Sequence, residues 1–302
     1  MSRFSQYLKN IFFIILILQF LPLLFVNMRK VVEKVTSPKA RVGVIPVKGL
    51  ILDTNRYATQ VKKYFKDDSI KAIVLKIDSP GGAPAAAQEL FQQIIDMKKQ
   101  YDKPVIAYAE NLCASAAYYI AIAADHIIAQ PASMIGSVGA FIAFPSLQEF
   151  MEQYKIKYTV IQSGSYKTGP VIFRDLTPKQ KNMLQTLTND TYEQFKNAVV
   201  SRRPSLSLAN QKQWADGQVF SGAKGIELGL IDQLGSFVTL SNEVRKRAEI
   251  EEEIVFVYPP KPSVLMRLFG KEQEAEYDEP QTSLLPSFLQ NPIERLFTPI
   301  SL

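Results

Sequence analysis

One histidine, one cysteine and one tryptophan occur in the 302 residues. A lone cysteine, Cys113, excludes an internal disulfide. With His126 as the only histidine, a zinc site would have to be built mostly from carboxylates, and a Ser-His-Asp triad is hard to assemble. His126 lies within the apolar run "ADHIIAQ" and reads as a hydrogen-bonded core residue. Phosphate loops of the GxxxxGK[ST] type and GxGxxG fingerprints are missing as well. No metal and no cofactor is expected. Nor is there a basic face for nucleic acid. The net charge is +6, but residues 1–41 hold seven basic side chains and one acid, leaving 28 of each sign in 42–302. A neutral body does not suit a nucleic-acid partner.

The basic excess flanks "IFFIILILQFLPLLFV", residues 11–26. Sixteen residues in a helix span roughly 24 Å, slightly less than a bilayer core. No small-x-small cleavage site follows in "LLFVNMRK", so the segment is expected to be an uncleaved anchor in contact with membrane lipid. Two basic residues precede it and five follow closely, so a plain positive-inside count keeps the body cytoplasmic. We divide the chain into an anchor (1–30), a tether (31–41), one folded domain (42–258) and a Pro-rich tail (259–302) that ends in "LPSFLQNPIERLF".

Within the domain, "VGVIPV", "KAIVLKI" and "KPVIAYA" are short β-branched runs suited to buried strands, and "DHIIAQ" and "KYTVIQ" continue the series. Residues 84–100 carry apolar positions at helical spacing. Alternating strands and helices predict an α/β fold of crossover units. "TPKQ" places Thr177 at an N-cap, Pro178 at the first helical position and Gln180 three residues after the cap, predicting a long helix to about Arg203. Shorter helices are expected near 222–229 and 237–248, with a strand at "EEIVFVY".

Two stretches invite chemistry. "IDSPGG" runs from a strand into two glycines and a helix, a turn whose backbone N–H groups can hold an anion or an acyl-transfer oxyanion; a plain turn fits as well. "NLCASAAYYIA" puts Ser115 at the start of a short apolar helix, where it is either a small packing residue or a nucleophile. With histidine scarce, a lysine is the alternative base. Its reference pKa near 10.4 must fall to about 7–8, which burial in an apolar site supplies. Lys167 in "QSGSYKTGP", expected just past a buried strand, is the best placed. Cys113 reads as a buried small residue, Tyr118 and Tyr119 as packing residues with one available to a cleft, and Trp214 as structural.

Together, "IDSPGG", "ASAAYYIA", "IGSVGAF", "SGSYKTG" and "ADGQVFSGAKGIELGLIDQLG" resemble the signal peptide peptidase (SppA) family of Ser-Lys serine peptidases, in the right order over about residues 42–248. The resemblance implies a ClpP/crotonase-like α/β core, a membrane anchor, ring-like homo-oligomers and cleavage of remnant signal peptides or other unfolded apolar peptides. It implies Ser115 as nucleophile, Lys167 as general base, Ser137 as the residue orienting that lysine, and the N–H groups of Gly82 and Ala116 as the oxyanion hole. Serine and lysine can come from neighbouring subunits. It also implies a single-pass protein of the cytoplasmic membrane with its catalytic body outside the cytoplasm, against the charge count. Two departures stand out. Ala116 and Ala117 replace the usual glycines after the nucleophile, and position 140, where ClpP would place a histidine, is Ala140. The competing readings are a non-catalytic membrane-anchored scaffold, an acyl-CoA enzyme of the crotonase type, and a protease restricted to one membrane-protein partner. The acyl-CoA enzyme lacks a recognisable acidic catalytic residue and a basic coenzyme site.

Overall fold

The computed structural model describes residues 39–260. The expected anchor, most of the tether and nearly all of the Pro-rich tail lie outside the described residues. Among the described residues no helix is long and apolar enough to cross a membrane.

The architecture is a mixed α/β sheet. Strands β1 (Lys39–Ile51), β2 (Ile70–Gly82) and β3 (Val105–Ala114) form its parallel centre. Helices α1 (Asn55–Lys66) and α2 (Pro84–Gln100) make the crossovers. The strands are buried on both faces, which is why they read as nearly unbroken apolar runs. The helix expected over 84–100 forms with those limits: Pro84 opens it, and Ala87, Leu90, Ile94 and Met97 point into the core.

Beyond β3 the sheet forks. The first half of β3 pairs with β4 (His126–Ala129), which in turn pairs with β7 (Gln233–Leu234). Its last residues, Leu112–Ala114, pair instead with β5 (Met134–Gly136), whose far edge takes β6 (Val219–Ser221) antiparallel. The register against β2 jumps at the same level, from Ile77↔Ala109 to Ser79↔Cys113. The C-terminal end of β3 thus stays paired with β2 while exchanging β4 for β5 on its other side. On the other edge, β8 (Glu253–Val257) lies parallel to the start of β1.

Helix α3 (Ala116–Ala121) follows β3 directly, and α4 (Gln148–Gln153) is a short exposed helix. The long α5 (Pro178–Arg202) starts at the expected capping box, with both Thr177–Gln180 hydrogen bonds present. Helices α6 (Gly222–Leu228) and α7 (Phe237–Arg247) complete the described elements together with a 3-10 turn at Leu208–Gln213. The larger core lies between the sheet and α1, α2, α3 and α5; a smaller one, including Val42, Val74 and Ile106, is closed by Leu240 and Val244 of α7.

One expected strand is absent. Residues 157–162, "KYTVIQ", form no strand, and Ile161 is 98 % exposed. Within this segment Tyr158 packs on Phe173 (ring centroids 5.2 Å apart), while most of the segment stays uncovered. Lys167 therefore does not follow a buried strand; it stands in an exposed turn closed by Lys167 N–H to the Gly164 carbonyl (3.1 Å) and Gly169 N–H to Tyr166 (3.2 Å).

Candidate active site

The site is built where β3 ends. Ser115 is the hinge between β3 and α3, with φ 52° and ψ −126°, a conformation rare for a residue with a Cβ. Such a residue stores about 1–3 kcal/mol and persists only where its surroundings fix it. They do. Its N–H donates to the Gly136 carbonyl at 2.8 Å, and its carbonyl accepts from Tyr119 N–H at 3.0 Å. The sharp strand-to-helix turn leaves the serine side chain at the mouth of a cleft, as in other nucleophile elbows.

Gly81 and Gly82 press against this turn with φ of 101° and 156°. A Cβ on Gly81 would lie 2.7 Å from Ala116 N and 2.8 Å from both the Ala114 carbonyl and Ser115 Cβ; one on Gly82 would lie 2.0 Å from the Ile51 carbonyl. The Gly-Gly pair is thus demanded by both backbone conformation and space. Ser79, fully buried, holds the turn: its Oγ donates to the Gly49 carbonyl (2.6 Å) and accepts from Gly81 N–H (3.1 Å).

A cleft of about 300 Å³, its open mouth included, is lined by Ser115, Gly82 and Ala116 together with Gly139. Pro84, Ala87 and Gln88 of α2, Tyr119 of α3, and Thr191 and Phe195 of α5 form the rest of its wall. The structure therefore brings together three of the five residues singled out from sequence. Ser137, also at positive φ (53°), directly follows Gly136, the residue that accepts from Ser115, and its own N–H donates to the Gln218 carbonyl at 2.7 Å. Lys167 is not in the cleft. Among the described residues its ammonium has no hydrogen-bond or ion-pair partner. It directly follows a stretch from Phe141 to Tyr166 in which ten large apolar side chains are exposed, Phe141 at 87 %.

Gln88, Thr191 and Phe195 escaped the sequence reading. Their helical spacing shows which face they occupy, but not that α2 and α5 flank Ser115. The residues given bland readings behave accordingly. Cys113 is fully buried and burial pushes its thiol up, away from reactivity. Tyr118 is buried and its hydroxyl donates to the Leu230 carbonyl at 2.7 Å. Trp214 is buried with its indole N–H shared between Ser207 and Asn210, and His126 is hydrogen-bonded to Gln233 and Arg247. The methyl of Ala117 packs into the core, and Ala116 is 5 % exposed at the cleft wall, so both fit where glycines were expected.

A strained serine on a strand-to-helix turn, packed against a glycine turn at the mouth of one cleft, is the arrangement of a serine hydrolase. Residues 97–251 match Peptidase family S49. A Synechocystis protein described as a protease is 31 % identical over 245 residues, 80 % of this chain and 87 % of the relative. A Methanocaldococcus jannaschii protein described as a protease is 32 % identical over 68 % of this chain and 65 % of its own length. An Enterococcus faecium protein described as signal peptide peptidase SppA is 26 % identical over 71 % of this chain and 65 % of its own. The chain belongs to peptidase family S49: it is a serine peptidase similar to the signal peptide peptidases.

Proposed function

We propose that the protein is a membrane-anchored endopeptidase that uses Ser115 and Lys167 to cleave remnant signal peptides and other unfolded apolar peptides. The observation that carries this reading is the strained turn at Ser115, held by Gly136 and pressed by Gly81, with Gly82 and Ala116 on the same cleft.

Neutral Lys167 takes the Ser115 proton as Oγ bonds to the scissile carbonyl carbon. The N–H groups of Gly82 and Ala116 receive the oxyanion, worth roughly 3–4 kcal/mol per donor in comparable sites. The lysine returns the proton to the leaving amine, leaving an acyl-serine. It then takes a proton from water as the water attacks the ester, and gives that proton to Ser115 Oγ as the second product leaves. Ser137, one step along the backbone from Gly136, orients the lysine. The peptide lies in the cleft as an added strand, with small or apolar side chains in its pockets. The forked sheet supports a ClpP/crotonase-like core. Residues 11–26 anchor the chain in the cytoplasmic membrane, with the catalytic body outside the cytoplasm.

One chain does not assemble the dyad by itself. Lys167 is exposed outside the cleft, on a segment whose apolar side chains are also uncovered. A second copy packing on residues 141–166 covers them and carries Lys167 to its neighbour's Ser115. The same contact supplies the burial that a neutral lysine base needs.

The test uses the full chain in detergent and an unfolded apolar reporter protein. Ser115→Ala and Lys167→Ala each abolish cleavage, while mixed assemblies of the two inactive variants recover part of it. Ile161→Asp disperses the assembly and lowers activity with it. Cleavage that survives Ser115→Ala ends the nucleophile assignment; two inactive variants that do not complement each other end the shared-site arrangement.

A further inference from the structure

The wall of the cleft carries a polar bridge that the serine chemistry does not use. Gln88 Nε2 on α2 donates to Gln194 Oε1 on α5 at 2.8 Å, tying together the two helices that flank the cleft. Gln88 also stands beside the Tyr119 hydroxyl: burial pushes that phenol up, with Gln88 acting against it. The Tyr119 ring meets Phe91 edge-on (centroids 5.2 Å apart) and Phe195 at a tilt, with centroids 4.9 Å apart. Among the described residues no charged side chain lines the cleft.

These features set what can enter. Ala87, Ala116 and Phe195 make part of the wall apolar, and that part accepts a short aliphatic side chain. An ammonium or carboxylate would lose water without finding a counter-charge, a large cost. A longer apolar side chain meets Gln88, whose amide is held by Gln194 and would have to give up that bond to step aside.

We propose that Gln88, braced by Gln194, is the residue that limits the cleft to short, uncharged side chains at the position whose carbonyl is attacked. The inference rests on the reading of Ser115 as nucleophile and extends it to substrate selection. Removing the Gln88 side chain frees the apolar faces of Tyr119 and Phe195 to receive a larger group. In an apolar pocket each methylene of fit changes selectivity by roughly 10–200-fold, so the effect is measurable.

The experiment uses full-chain assemblies and peptides identical except for alanine, leucine or lysine before the scissile bond. The readout is the ratio of kcat/KM for leucine over alanine, which a loss of stability alone does not move. It is expected to rise at least tenfold in Gln88→Ala and severalfold in Gln194→Ala, which leaves Gln88 in place but unbraced; lysine stays the poorest substrate throughout. Gln194→Ala also serves as the second approach should Gln88→Ala fail to assemble. A ratio within twofold of wild type in the assembled variants, with cleavage abolished by Ser115→Ala, overturns the role of Gln88 alone. Cleavage of these peptides that survives Ser115→Ala overturns the serine assignment and this inference with it.

Discussion

Replacing Gly81 with alanine tests whether the glycine turn and the serine turn are one mechanical unit. The new methyl would sit 2.7 Å from Ala116 N, 2.8 Å from the Ala114 carbonyl and 2.8 Å from Ser115 Cβ, at a φ of 101°. All three neighbours belong to the hinge that carries the nucleophile, so relief of the clash must move Ser115. The backbone conformation costs about 1–3 kcal/mol for a residue with a Cβ, and overpacking adds about 1–3 kcal/mol. The expected loss is about 2–6 kcal/mol, or roughly 5–20 °C in Tm for a domain of this size. A misplacement of about 1 Å at reacting atoms lowers the rate by about a hundredfold. Gly49→Ala is the control. It also has positive φ (67°), yet a Cβ there meets nothing within 4 Å. It should cost about 1 kcal/mol and roughly 2–4 °C, with reporter cleavage unchanged. Thermal unfolding and cleavage measured on the two variants side by side decide the matter. If Gly81→Ala matches Gly49→Ala in both, Ser115 is not held by the glycine turn and the account of the site is wrong.

Two further substitutions probe the scaffold. Tyr118→Phe strands the buried Leu230 carbonyl and is expected to cost about 1–3 kcal/mol in denaturant unfolding while kcat stays within twofold of wild type. Asp232 accepts from Arg203 at 2.8 Å and from Ile127 N–H at 2.7 Å. Burial alone would raise this carboxyl, but Arg203, Ile127 and His126 outweigh it and hold it below the usual carboxylate range. A depressed carboxyl stabilises the fold above its unfolded pKa of about 3.9, and that contribution fades as pH falls through the lower folded value. Asp232→Asn should therefore cost about 1–3 kcal/mol at neutral pH. The gap to wild type should close below about pH 3.9; a gap constant from pH 7 to pH 3 would refute the ionic origin.

Local sequence rules carried far where the burying surface lies within the chain. Pro84 and the apolar stripe behind it defined α2 to the residue, and Thr177 with Gln180 marked the start of α5. They failed at "KYTVIQ", because an alternating pattern shows that side chains want cover, not whose surface supplies it. The three-residue strands β5 and β6 are too short to carry a period, yet β5 pairs the end of β3 and its Gly136 carbonyl holds the Ser115 N–H. The positive φ of Ser115 and Ser137 was equally illegible, since neither is a residue that advertises a left-handed turn. Ser115, Gly82 and Ala116 could be singled out because motifs carried them; Gln88 and Phe195 could not, because their place at the cleft depends on how two helices cross in space.

The pairing of β8 with β1 also bears on how the molecule comes into being. Arg41 lies beside Val255, more than 200 residues later in the chain, so the first of the described strands to be made waits for the last of them. At roughly 5–20 residues per second during synthesis, that wait lasts about 10–40 s. Throughout it Val42 and Val44 border an unpaired strand edge of the kind that recruits foreign strands. A ribosome that stalls before residue 250 would thus release a chain with its apolar edge open, and such fragments should depend on holding chaperones far more than the finished peptidase does.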